Sequence, residues 1–153
     1  MWFSRKQAVK VLPKGVADGF AALPKQVTTK LRGDAAESAA LAYLVGAGLR
    51  LIESNYRTPG RGGGEIDLVM RAPDGTLVFV EVRQRSNASH GGAGASISAV
   101  KQRRIIFAAR HYLMRFASPP PCRFDVVLVN GVLSGGERRA AIIEWLPAAF
   151  DVS

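Results

Sequence analysis

Two short apolar segments separated by a tight turn constrain the fold of this chain more than any other part of it. Residues 64–70 and 76–83 are rich in β-branched and aromatic side chains, and a Pro-Asp-Gly turn at 73–75 lies between them. Such an arrangement predicts an antiparallel β-hairpin. If the loop has three residues, the register of the hairpin sets Asp67 directly opposite Glu81.

The two opposed carboxylates are the chemically informative part of this hairpin. Because side chains alternate across a strand, Asp67 and Glu81 share one face, and Glu65 faces Arg83 on the same side. Opposed like charges destabilise a sheet, so a fold that keeps this pair needs a positive group between them. A hard divalent cation, held by one or two carboxylates and a substrate phosphate, would serve. Two alternatives stay open: an ordinary solvated sheet face, and a two- or four-residue loop that separates the pair.

Short motifs flank this pair in a fixed order along the chain. They are Gly33-Asp34-Ala35-Ala36-Glu37, Ala42-Tyr43-Leu44, Asn55-Tyr56-Arg57, Gly64-Glu65-Ile66-Asp67-Leu68, Phe79-Val80-Glu81-Val82-Arg83, Lys101 and Arg123-Phe124-Asp125-Val126-Val127. This ordered series, over roughly residues 31–130, resembles the bacterial YraN-like family. Members of that family are similar to Holliday-junction resolvases and share the restriction-endonuclease-like fold.

The resemblance implies a metal-dependent nuclease site. Asp67 and Glu81 would hold Mg²⁺ or Mn²⁺. Glu37, which matches an acidic residue on the first helix of the resolvases, would bind the cation or orient the attacking water. Arg83 completes the implied catalytic set. It stands where the nuclease signature PD…(D/E)xK has lysine, and no proline precedes Asp67.

The arginine at position 83 leaves the activity of the chain open. A guanidinium stays protonated and cannot act as a general base, yet it can stabilise phosphate charge through a bidentate contact. Alternatively, Arg83 could do no more than form a cross-strand ion pair with Glu65, and Glu37 could serve only as a helix cap.

Two functions from different classes are therefore expected. The first is a nuclease that hydrolyses phosphodiester bonds of branched or otherwise structured DNA. The second is a non-catalytic nucleic-acid-binding module that retains the nuclease fold. A purely structural or protein-interaction role ranks third.

The charge of the chain favours a nucleic-acid partner. Lys and Arg number 21 against 12 Asp and Glu, which gives +9 and a pI near 10.4. Residues 1–32 account for most of this excess, so the remainder is only modestly basic. One stripe of a predicted helix contains four basic or titratable residues, Lys101, Arg104, His111 and Arg115. This stripe is either a row of phosphate contacts or an ordinary solvated helix face. The residues predicted to contact nucleic acid are Arg57, Arg61, Arg85, Lys101 and Arg104.

Two units are expected along the chain: a basic N-terminal extension at 1–32 and an endonuclease-like domain at 33–153. Asp34 is predicted to begin the first helix, with Glu37 completing a capping box. The loop at 58–64, which contains four glycines, is predicted to be flexible. Further predicted elements are strands at 49–57, 122–130 and 140–146, a loop at 86–96 that contains His90, and a helix at about 98–116 capped by Ser98. The order predicts an α/β fold, a mixed sheet flanked by helices with an α-β-β-β-α-β core.

Cysteine content and hydropathy bear on the compartment. Cys122 is the only cysteine, so an intramolecular disulfide is excluded and a reducing, cytoplasmic location is expected. No apolar run approaches the ~20 residues that span a bilayer, so no membrane partner is expected. The expected partner is DNA or another nucleic acid, and the sequence leaves both a monomer and a homodimer open.

Overall fold

A five-stranded mixed sheet with one helix on each face forms the fold. The computed structural model describes residues 25–85, 97–131 and 141–152. The elements in chain order are α1 (Lys25–Gly46), β1 (Arg50–Arg57), β2 (Glu65–Arg71), β3 (Leu77–Arg85), α2 (Ala99–Leu113), β4 (Cys122–Asn130) and β5 (Ile142–Phe150). This α/β architecture is consistent with the restriction-endonuclease-like fold and confirms the predicted class and order of elements.

The strands lie side by side in the order β1-β2-β3-β4-β5. All neighbours are antiparallel except β3 and β4, which are parallel. A parallel pair needs a long crossover between its strands, and α2 lies in this crossover.

The central hairpin has the predicted three-residue loop. Leu68 pairs with Val80 across β2 and β3. The Ala72 amide donates to the Thr76 carbonyl at 2.9 Å, which closes the turn. Gly75 has a φ of 91°, a left-handed conformation that favours glycine. The turn sequence thus fixed the register, and with it the alignment of Asp67 with Glu81.

Helix α1 starts earlier than predicted. It begins at Lys25, so Asp34 and Glu37 lie inside the helix, and the predicted capping box is wrong. Between Pro24 and Gly33 the chain has no helix breaker, and an interior glycine is tolerated at a cost of about 1 kcal/mol. The helix therefore crosses the predicted boundary at residue 33, and the rest of the predicted extension lies outside the described residues.

Small residues let α1 pack closely against the sheet. Ala36, Ala40 and Leu44 are buried against one sheet face, in a cluster that includes Leu68 and Val80. These small side chains permit close approach of the helix and the sheet.

Helix α2 covers the opposite face of the sheet. The Ser98 hydroxyl caps the helix by accepting the Lys101 amide at 3.2 Å. Ile105, Ala109 and Tyr112 are buried in an aromatic-rich cluster on this face. The helix ends at Leu113, a little before the predicted residue 116.

Strand β5 is longer than predicted and runs through a proline. The prediction ended it at residue 146, just before Pro147, but the strand continues to Phe150. β5 lies at the edge of the sheet, where a residue without an amide proton can be accommodated. The buried Asp125 carboxylate accepts the Ala148 amide at 2.9 Å and the Trp145 indole NH at 2.9 Å, which fixes this end of the strand.

Within the described ranges, neither helix combines the length and hydropathy that a membrane crossing requires. The predicted loop at 86–96, with His90, lies outside the described residues.

Candidate active site

The predicted carboxylate pair is buried where β2 and β3 begin to diverge. Asp67 and Glu81 are each 7% exposed. The paired part of the hairpin ends at Leu68 and Val80. Just beyond it, the Asp67 carboxylate accepts the Val82 amide at 2.8 Å, and the two acidic side chains are close enough to share a hydrogen bond. The structure therefore brings the pair together on one face, the face that α2 covers.

Burial and mutual repulsion change the ionisation of this pair. Burial, followed by the charge of Asp67, raises the pKa of Glu81 to about 8. Burial also raises the pKa of Asp67, against the effect of the Val82 amide. Both carboxyl groups therefore hold their protons to higher pH than ordinary acidic side chains do.

One oxygen of this pair has no partner. Glu81 Oε2 is buried and makes no hydrogen bond in the part of the chain that the structure describes. Leaving a buried polar atom unsatisfied costs about 1–3 kcal/mol, and more when the group is charged. Such an atom in a native fold is explained by a bound water, an ion or a chemical role.

A lysine from α2 lies against the pair. The Lys101 ammonium nitrogen is 3.4 Å from Glu81 Oε1, and the Lys101 side chain is 41% exposed whereas that of Glu81 is 8% exposed. Lys101 was expected in a row of phosphate contacts on the helix surface. The sequence places it 20 positions after Glu81, and no local pattern shows that α2 folds back across β3 to bring the two together.

Glu37 approaches the site from α1. Burial raises its pKa, the charge of Asp67 raises it further, and a hydrogen bond with Asn55 lowers it. Glu37 is therefore near enough to Asp67 for the two charges to interact. Since the helix starts at Lys25, the role of Glu37 as a cap alone is excluded.

Arg83 follows Glu81 by two positions on β3 and is half-buried. Strand alternation puts the two side chains on the same face. The predicted partner of Arg83 across the hairpin, Glu65, contacts Arg57 of β1, with Arg57 Nε 3.1 Å from Glu65 Oε2.

The glycine-rich loop before β2 is packed at its base rather than free. The Gly64 amide donates to the buried Thr58 hydroxyl at 2.8 Å, and the Thr58 amide donates to the Gly64 carbonyl at 3.1 Å. A Cβ at Gly64 would collide with the backbone carbonyl of Arg104, and one at Gly63 with the Thr58 hydroxyl. The C-terminal end of the predicted flexible loop is therefore packed, with Gly64 close to α2 and Gly63 close to Thr58.

This packing sets a basic loop beside a basic helix, next to the carboxylates. Arg57, Arg61 and Arg104 are all exposed. The Arg85 side chain lies outside the described part of the structure. These residues remain predicted nucleic-acid contacts.

The last two residues of the predicted basic row, His111 and Arg115, contact side chains of β1. The Tyr56 hydroxyl hydrogen-bonds to His111 Nδ1. Arg115 lies 3.6 Å from the Glu53 carboxylate and 3.7 Å from the centre of the Tyr112 ring. The helix stripe is therefore partly a packing face, which the sequence pattern alone did not show.

Across residues 25–85, 97–131 and 141–152, no cluster of three or more His, Cys, Asp or Glu side chains is arranged to hold a metal ion. Asp67 and Glu81 remain the two predicted protein ligands. Mg²⁺ is commonly bound in this manner, by one or two carboxylates together with waters and substrate phosphates.

Comparisons with known proteins identify relatives over the whole chain. A family model described as "Uncharacterised protein family UPF0102" matches residues 36–129, which include Glu37, Asp67, Glu81 and Lys101. A UPF0102 protein of Polaromonas naphthalenivorans (strain CJ2) is 88% identical over 153 residues, all of both chains. One of Polaromonas sp. (strain JS666 / ATCC BAA-500) is 74% identical over the same full length. One of Albidiferax ferrireducens is 68% identical over 124 residues, 81% of this chain and 90% of the relative. The chain therefore belongs to the UPF0102 family, the YraN-like family that its ordered motifs resemble.

Proposed function

We propose that this protein is a metal-dependent nuclease that hydrolyses phosphodiester bonds in branched or otherwise structured DNA. The observation that carries the proposal is the buried Asp67–Glu81 pair, with one carboxylate oxygen for which the described residues provide no hydrogen-bond partner. Burial of two opposed acidic side chains lowers the stability of a fold, so stability alone does not account for this pair.

The donor set fits Mg²⁺ or Mn²⁺. Both cations prefer carboxylate oxygens, and a divalent charge between Asp67 and Glu81 would remove their repulsion and satisfy Glu81 Oε2. When bound, such a cation supplies Lewis-acid polarisation of the scissile phosphate and a lower pKa for an attacking water.

The remaining residues of the chain would orient the reactants. Glu37, whose pKa is raised, is suited to accept a proton from the attacking water near the pair. Arg83, on the same face as Glu81, is suited to stabilise phosphate charge through its fork of donors. Arg57, Arg61 and Arg104 would hold the strands through phosphate contacts, which set the position of the DNA and not its sequence.

The preference for branched DNA rests on the resemblance to Holliday-junction resolvases. The exposed arginines of the loop at 58–64 and of α2 support a DNA partner but do not distinguish a junction from a duplex.

The direct test is cleavage of labelled DNA with Mg²⁺ or Mn²⁺ and with EDTA. A four-way junction, a flap and a linear duplex of matched sequence separate structure preference from general nuclease activity. We expect metal-dependent cleavage of the junction or flap that is lost in Asp67→Asn. Metal-independent cleavage, or equal cleavage by Asp67→Asn, would contradict the proposal.

A second candidate function is a nucleic-acid-binding module without catalysis. The observation that favours it is Arg83 at the position where the nuclease signature has lysine. This function predicts DNA binding that weakens with salt and no cleavage with any divalent cation.

A further inference from the structure

The contact between α2 and the carboxylate pair has a consequence for catalysis. Lys101 Nζ lies 3.4 Å from Glu81 Oε1, whereas Glu81 Oε2 has no partner among the described residues. A single carboxyl group thus meets a fixed positive charge at one oxygen and leaves the other free. Metal and lysine would not compete for the same atom.

The position of Lys101 is held by the start of the helix. The Ser98 hydroxyl accepts the Lys101 amide, and the Gln102 side-chain amide donates to the Ile97 carbonyl at 2.9 Å. Ile97 is itself buried. The cap and this anchor fix where the Lys101 side chain leaves the backbone, which is a requirement for a group that must be positioned for chemistry.

The start of α2 adds positive potential beside the carboxylate pair. The first turn of α2 contains no acidic residue of its own, so the helix does not itself neutralise the partial positive charge at its N-terminus. Anions are stabilised at such an end of a helix. The Lys101 ammonium adds a full charge there, close to the pair that would bind the cation.

The side chain can serve two partners at once. An ammonium group has three donors and no acceptor. With 41% of its side chain exposed, Lys101 can keep one donor on Glu81 and present another to the solvent side from which DNA would approach. The compact charge of lysine suits a single phosphate oxygen better than the planar fork of arginine does.

We infer that Lys101, from α2, supplies the lysine of this active site and contacts the scissile phosphate, while Arg83 has a lesser part in turnover. This inference rests on the proposed nuclease function. It accounts for the arginine at position 83 without loss of catalysis, because the signature lysine is provided by another element of the fold.

The experiment compares Lys101→Met with Arg83→Met and with Arg103→Met as a matched control. Arg103 lies on the same helix, is exposed and carries the same charge. Two quantities are measured: kcat and KM for cleavage of a branched DNA with Mn²⁺, and DNA affinity in EDTA as a function of salt concentration.

We expect Lys101→Met to lower kcat by about 10²–10³-fold, the usual cost of removing one group that stabilises transition-state charge. Loss of a phosphate contact should also reduce the slope of log affinity against log salt by about 1. Arg103→Met should leave kcat unchanged. Arg83→Met should lower kcat by a clearly smaller factor than Lys101→Met does.

Three results would overturn the inference while the nuclease function stands: wild-type kcat in Lys101→Met, a larger loss in Arg83→Met, or an unchanged salt slope in Lys101→Met. A wild type without cleavage overturns the proposed function and the inference with it. If Lys101→Met fails to fold by circular dichroism, Lys101→Arg replaces it. That variant keeps the charge, so it should retain the salt slope and still lose kcat, and full wild-type kcat in it counts against a role for the compact ammonium.

Discussion

At the scale of single residues, Glu81 carries most of the unusual physical chemistry. It is buried, it opposes another acid, and one of its oxygens has no partner within the described ranges. Its folded-state pKa of about 8 lies above the ordinary value of 4.5. Between these two values the folded protein holds a proton at Glu81 that the unfolded chain has released, so this residue destabilises the fold progressively as pH rises.

Glu81→Gln should therefore flatten the pH dependence of stability. Glutamine keeps the size and the donor of the protonated acid but cannot ionise. We expect the free energy of unfolding of the wild type to fall between pH 5 and pH 8.5 by more than that of Glu81→Gln. The difference should be on the order of a few kcal/mol. Urea unfolding at four or five pH values measures it, with Glu53→Gln on β1 as a control, and equal slopes would contradict the raised pKa.

Asp67→Asn should abolish metal binding without destabilising the fold. An asparagine oxygen can still accept the Val82 amide, and one of two opposed acidic groups becomes neutral, so stability without metal should stay within about 1 kcal/mol of wild type or rise. A ligand bound only by the folded state raises the melting temperature. Melts with and without Mn²⁺ should show this rise in wild type and not in the variant. An equal gain in both would place the metal elsewhere.

At the scale of elements, the hairpin and the glycine loop differ in how far the sequence specifies them. The turn residues and strand alternation suffice to place Asp67 opposite Glu81, because the partners are joined by a short loop. The packing of Gly64 on α2 joins residues 40 positions apart and left no pattern in the sequence beyond the glycine itself. Likewise, Lys101 was recognised as a member of an ordered motif series, but its contact with Glu81 depends on how α2 packs across the sheet.

Two glycine substitutions test this difference, because we expect them to change the free energy of unfolding in opposite directions. Gly64→Ala brings a Cβ into the Arg104 carbonyl, a backbone atom that cannot move cheaply, so the free energy of unfolding should fall by about 1–3 kcal/mol. At Gly33, inside α1, a Cβ meets nothing within 4 Å, so Gly33→Ala should stabilise by about 0.5–1 kcal/mol. Chemical denaturation of both variants against wild type gives the answer. A neutral Gly64→Ala would mean that the loop does not pack on the helix.

At the scale of the whole molecule, net charge determines how the protein meets a polyanion. The chain carries +9, yet its two central acids are buried, whereas Arg61 on the loop at 58–64 and Arg104 on α2 are exposed. Association with DNA should therefore be dominated by phosphate contacts and release of counterions.

Binding should fall linearly with the logarithm of salt concentration, and Arg104→Glu should weaken binding to all DNA sequences about equally. Fluorescence anisotropy over a salt series with two unrelated duplexes measures both effects. A salt-independent affinity, or an effect of Arg104→Glu on one sequence only, would argue against phosphate contacts.

The parallel pairing of β3 with β4 also has a consequence for the order of assembly. The hairpin that joins Asp67 to Glu81 closes a loop of a few residues, whereas β3 can meet β4 only after residues 86–121 have been made and folded back. Lys101 lies in that later segment. During synthesis from the N-terminus the two acids are thus made before their lysine, and the burial that raises the pKa of Glu81 is complete only when α2 packs across the hairpin.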